Sequence, residues 1–152
     1  MAAGPGKPAF LVKPTLRTRF YIDYDWWHRS REDLRIYLLS HVRPAQRDSL
    51  AGQSDETLVD YIDPDTAEVF RMNELMLALR QAAAEPDFIN PQTSLVDSVF
   101  RVFLANNNEP RTPLQLAEAT GRNATTILKT FGSTRIYKGI RPWVSDEDTA
   151  GS

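Results

Sequence analysis

The sequence predicts an α+β fold in which an N-terminal subdomain of strand, helix, hairpin and helix packs on a smaller, mainly helical C-terminal domain. Three observations predict it. Two stretches, "TLRTRFYIDY" and "VDYIDPDTAEVFRM", alternate or pair like half-buried strands. Several others repeat apolar residues at helical spacing behind recognisable caps. Between the two halves lies "EPDFINPQ", a segment broken by two prolines. At 152 residues, with 41% apolar and 25% charged residues, the chain has room for one domain or two small subdomains.

Residues 1–14 carry prolines at 5, 8 and 14 and read as a flexible arm. In 15–24, Leu16, Phe20 and Ile22 share one face of an expected strand. "SREDLRIYLLSHV" follows as a helix, with Ser30 as its expected N-cap, Leu34, Tyr37, Leu38 and His41 at helical spacing, and Pro44 limiting its end. "AGQSDETL" reads as loop or a short capped helix. Residues 59–72 read as a β-hairpin, in which "DPDTAE" supplies the turn between segments holding Tyr61 and Val69. Asn73 then caps "ELMLALRQAAAE", where Leu75, Leu79 and Ala83 fall four apart. These elements form the expected subdomain 15–90.

Beyond the linker, Ser94 with Asp97 gives a cap signature for a helix whose stripe is Val96, Val99, Phe100 and Phe103. "NNNEP" ends it. Thr112, Pro113 and Gln115 then supply an N-cap, a proline at the first helical position and a capping-box partner. Gly121 suits the left-handed conformation that closes this second helix. A third helix covers about 123–131, with Ile127, Leu128 and Phe131 on its apolar side.

Ala117, Gly121 and Ile127 fall at a spacing of four and then six, with a small residue, a turn glycine and an apolar wedge in that order. On these residues "TPLQLAEATGRNATTILKTF" resembles a helix-turn-helix, and "STRIYKGIRPW" is similar to the wing strand of winged-helix domains. The resemblance covers about 93–144. Arg122 stands where the motif carries an apolar residue. The resemblance implies that the second helix of the pair enters the major groove of duplex DNA. Asn123, Thr125, Thr126 and Lys129 would then face base edges or phosphate, while Arg135, Lys138 and Arg141 of the wing would meet the backbone.

Charge agrees in part. The formal net charge is -2, but residues 93–144 hold seven bases against three acids. Residues 1–92 hold eleven bases against fourteen acids, and the tail 145–152 adds three acids, Asp146, Glu147 and Asp148. This tail is expected to be disordered.

Two other constellations have competing readings. Asp23, Asp25 and His28 could combine with Asp63, Asp65 and Glu68 as oxygen ligands with one imidazole, yet these acids also sit where helix caps and turns place them. Trp26 and Trp27 are adjacent, so in a helix their indoles point about 100° apart. One fills a core, and the other covers a subdomain boundary or anchors a partner.

The sequence contains no cysteine, which excludes disulfides and thiolate chemistry. It has no apolar run long enough to span a bilayer, no secretory signal, no phosphate loop, no G-x-S-x-G elbow and no H-E-x-x-H pair. The expectation is a cytoplasmic, non-enzymatic DNA-binding protein without cofactor, acting in transcription regulation and possible as a homodimer. The alternatives are a winged helix that binds a protein partner, and a metal-dependent enzyme using the Asp/His set.

Overall fold

In the order of the chain, the elements are β1 (Phe20–Ile22), α1 (Tyr24–Arg29), α2 (Leu34–Leu39), α3 (Pro44–Ala51), β2 (Leu58–Ile62), β3 (Val69–Asn73), α4 (Glu74–Ala83), α5 (Leu95–Ala105), α6 (Pro113–Thr120), α7 (Ala124–Phe131) and β4 (Ile140–Pro142). They come from a computed structural model that describes residues 13–51 and 58–143. The content is α+β, with two separate two-stranded antiparallel sheets, β1–β4 and β2–β3. The tail 145–152 and all but the last two residues of the 1–14 arm lie outside the described residues, as does most of "AGQSDETL".

The chain forms two compact units, but they are not the ones the sequence suggests. One comprises the chain up to Ser30 together with everything from Ile89 on; the other is Arg31–Phe88. One division falls between Phe88 and Ile89, inside the proline-broken segment. The difference lies at the other end, because β1 and α1 belong with the C-terminal helices rather than with subdomain 15–90. The cause is strand pairing. β4 finds its partner in β1, with Phe20 opposite Pro142, Tyr21 opposite Arg141 and Ile22 opposite Ile140.

Within this first unit, β1 is bonded along both edges. On the side away from β4, Phe20 exchanges backbone hydrogen bonds with Arg111, at 2.7 and 3.0 Å. Two residues further along, the Asn108 side chain takes the place of a strand residue. Its Oδ1 accepts from the Ile22 N–H at 2.8 Å, and its Nδ2 donates to the Ile22 carbonyl at 2.9 Å. Phe20 and Ile22 are thereby buried with their backbone groups satisfied. They join Trp27, Val99, Phe100, Phe103, Leu116, Ile127, Phe131 and Ile140 in one core. The helical stripes expected on α5 and α7 supply half of it, through Val99, Phe100, Phe103, Ile127 and Phe131, while Val96 and Leu128 stay half-buried.

The caps are local and mostly where the sequence puts them. Ser94 Oγ accepts from the Asp97 N–H, and Thr112 with Gln115 forms a complete capping box. Gly121 closes α6 at φ 72°. Ser30 does not cap α2. It ends α1 by donating its N–H to the Trp26 carbonyl, and Asp33 caps α2 through a bond from the Ile36 N–H at 3.1 Å. Serine and aspartate serve either end of so short a connection, so local chemistry leaves the choice open.

The second unit packs α2, α3 and α4 with the β2–β3 hairpin. Leu38, Leu39, Val42, Leu50, Leu75, Ala78, Leu79, Ala82 and Phe88 are buried in it among the described residues, together with His41, whose ring meets Tyr37 edge-on. α3 is not expected from the sequence: Pro44, which reads as a stop for α2, is instead the first residue of a further helix. The hairpin runs in register from Leu58 opposite Asn73 to Ile62 opposite Val69. Its turn is held by Asp63, whose Oδ1 accepts from the Asp65 and Thr66 N–H groups.

Candidate functional site

α6 and α7 meet through Gly121 and Arg122. Leu116 and Ile127 are both fully buried in the angle between them. Arg122, out of place by pattern, ties the helix pair to the start of α5. Its guanidinium donates to the carbonyls of Pro91 and Thr93, just ahead of that helix. A turn position that elsewhere packs apolar surface here makes charge-assisted hydrogen bonds.

With Ile127 and Phe131 turned inward, Asn123, Thr125, Thr126 and Lys129 are exposed on the other side of α7. The structure brings these four together. Asn123 is the N-cap, and its Oδ1 accepts from both the N–H and the hydroxyl of Thr126, at 3.0 and 3.3 Å. The cap thus uses the amide oxygen and leaves the amide nitrogen as the outward donor. Thr126, having donated, has acceptor capacity to offer. The side chains of Thr125 and Lys129 make no hydrogen bond or ion pair among the described residues.

The segment from Arg135 to Arg141 is shorter than a long wing loop. Lys138 and Gly139 both have positive φ, 55° and 77°, the pattern of a two-residue hairpin turn, and Tyr137 bridges to Ile140 across it. Arg135 is exposed, with its guanidinium 4.9 Å from the centre of the Tyr137 ring. Lys138 is half-buried, its ammonium 6.0 Å from the Trp27 ring centre. Arg141 differs from expectation. It donates to Asp23 at 3.0 Å, on the outer side of β1, and so contributes a neutralised pair rather than an open cation.

Asp23 accounts for why the Asp/His set does not assemble. Its Oδ1 caps α1 by accepting from the Asp25 N–H, and its Oδ2 faces Arg141 and, at 3.9 Å, Arg29. Asp63 is committed to the hairpin turn. Among the described residues no three His, Asp or Glu side chains converge as metal ligands. The tryptophans separate as adjacent helix positions must. Trp27 is buried, packs edge-on against Phe100 and donates Nε1 to the Lys138 carbonyl at 3.1 Å, so it cannot anchor a partner. Trp26 stays half-buried.

A second surface goes unannounced in the sequence. The β1–β4 sheet buries Phe20, Ile22 and Ile140, so Arg19, Tyr21, Arg141 and Trp143 alternate onto its outer side. Trp143 donates its N–H to the Arg19 carbonyl at 2.7 Å, and the Arg19 guanidinium lies 4.4 Å from the Trp143 ring centre. The Tyr21 phenol titrates above its ordinary range, chiefly because it is desolvated and secondly because Asp23 is near, with Arg141 opposing. Alternation through "RFYI" is the available signal, but only the pairing with β4 creates the face.

Compared with family models, curated proteins and solved structures, the chain finds no match.

Proposed function

We propose that this chain is a non-enzymatic, duplex-DNA-binding protein with a role in transcription regulation, and that 93–144 together with β1 and α1 works as a winged helix. α7 is the recognition helix. One observation carries the reading: the exposed side of α7 gathers Asn123, Thr125, Thr126 and Lys129, in a stretch, 112–143, that holds five bases and a single acid, Glu118. In a chain of net charge -2, that concentration favours phosphate on this side. The groove contacts are short side chains with both donor and acceptor capacity, as base edges require. Lys129 and Arg135 supply the phosphate contacts. Arg141, paired with Asp23, is not among them.

The test reverses two charges outside the core. Lys129→Glu with Arg135→Glu should lower affinity for random duplex DNA at low salt. It should also flatten the log–log salt dependence by about two units, roughly 0.9 for each lost phosphate contact. Absence of duplex binding by the wild-type protein at low salt would sink the proposal. The alternative, a winged helix docking a protein, draws on Leu114, which is 51% exposed on α6. It anticipates weak DNA binding that the double variant barely changes.

A further inference from the structure

We infer that the outer face of the β1–β4 sheet is a second nucleic-acid site, one that takes unpaired nucleotides by stacking. The inference is independent of the α7 contact: it uses other elements, other residues and another form of the ligand.

The face is a checkerboard. Arg19 lies opposite Trp143, and Tyr21 lies opposite Arg141, so each aromatic ring has a guanidinium beside it across the strands and another two residues along its own strand, while the two rings share a diagonal. Diagonal neighbours in such a ladder are about 7–8 Å apart, within reach of large side chains. Aromatic rings and guanidinium planes are the groups on which unpaired bases stack, whatever their identity, and the cations beside them follow the phosphates. The Arg19–Trp143 contact at 4.4 Å shows one such stack already assembled.

Charge on the face also favours an anionic strand. Among the described residues the acids near it are Asp23 and, on α1, Asp25, set against Arg19, Arg29 and Arg141, and both Arg29 and Arg141 point their guanidinium groups at Asp23. Among these described residues the bases outnumber the acids, three to two. The position is rigid as well. β1 is bonded on both edges, and its inward residues are fully buried, so the rings stand on a fixed platform and little ordering remains to oppose binding.

The ligand is therefore a single-stranded segment, with stacking supplying affinity and little sequence preference. The experiment uses the full chain and an oligothymidine of about twelve nucleotides, within the range of known single-strand sites. Anisotropy of the labelled strand gives the affinity, and duplex DNA is titrated in parallel. Trp143→Ala should weaken single-strand binding by about tenfold and Trp143→Phe by less, since base–aromatic stacking is worth about 1–3 kcal/mol and a smaller ring keeps part of it. Arg19→Glu should weaken binding and reduce its salt dependence. Lys129→Glu should leave it unchanged while lowering duplex affinity. An oligouridine of equal length should be bound as well, since every base has a face on which to stack.

The inference is overturned if the wild-type protein binds neither oligonucleotide. It is also overturned if Lys129→Glu rather than Trp143→Ala abolishes single-strand binding. Should Trp143→Ala fail to fold, Arg19→Glu decides, because Arg19 is exposed and outside the core. Failure of duplex binding alone bears on α7 and leaves this site standing.

Discussion

Asn108 shows how one side chain can complete a sheet. A primary amide carries a donor and an acceptor in the geometry of a peptide group, and Asn108 offers both to Ile22. It does so from a left-handed backbone at φ 60°, beside Asn107 at φ 62°, a conformation that asparagine tolerates better than other side chains with a Cβ. Asn108→Asp keeps the size and the backbone preference but replaces the donor with a charged acceptor facing the Ile22 carbonyl. Denaturant unfolding at neutral pH should register a loss of about 1–3 kcal/mol. The loss should shrink in acid relative to the wild type, because a protonated carboxyl recovers a donor. A loss that does not depend on pH would mean that the Nδ2 bond contributes nothing.

Element junctions carry the next level of specification, and two glycines separate its causes. Gly121, between α6 and α7, has φ 72° with nothing within 4 Å of where a Cβ would sit. Gly139, in the turn leading to β4, has φ 77°, and a Cβ there would lie 2.9 Å from the Asp23 carbonyl oxygen and 3.0 Å from Trp27 Nε1. Alanine at Gly121 therefore meets backbone strain alone, about 1–2 kcal/mol. Alanine at Gly139 meets the same strain and must also push β4 from β1 or break the bond between Trp27 Nε1 and the Lys138 carbonyl. Thermal melts should rank Gly139→Ala clearly below Gly121→Ala. Equal melting temperatures would show that the close approach at Gly139 is relieved without loss. α7 itself is set by simpler rules: a cap at Asn123, apolar residues at 127, 128 and 131, and polar ones at 125, 126 and 129 on the opposite side.

On the scale of the molecule, the decisive fact is that the first unit is discontinuous in sequence. Its core takes Phe20, Ile22 and Trp27 from before the Arg31–Phe88 unit and the rest from after it. A fragment of 93–144, which looks self-sufficient by pattern, lacks the strand that pairs with β4 and the indole that packs on Phe100. Expressed alone, it should give little cooperative unfolding and exposed apolar surface. Adding residues 13–30 as a separate peptide should raise its helicity and sharpen its melt. A fragment that folds cooperatively without the peptide would show that β1 decorates the unit rather than completing it.

Whatever neighbours in the chain can settle is legible in the amino-acid order. The caps at Asn73, Ser94 and Thr112, the left-handed Gly121, the hairpin turn at Asp63 and the buried stripe through Val99, Phe103, Leu116 and Ile127 all follow from interactions within a few residues or from helical periodicity. Four candidate site residues on α7 are legible for the same reason, since burying Ile127 and Phe131 turns Asn123, Thr125, Thr126 and Lys129 outward. Other features arise only when distant segments meet. These are the strand that β4 joins, the hold of Asp23 on Arg141, the reach of Arg122 to Pro91 and Thr93, and the face shared by Arg19 and Trp143. Arg141 and Asp23 are 118 positions apart in the chain. A strand of three residues specifies its burial through alternation but carries no mark of its partner, because backbone hydrogen bonds are the same for every pairing and only the closing of a shared core selects among them.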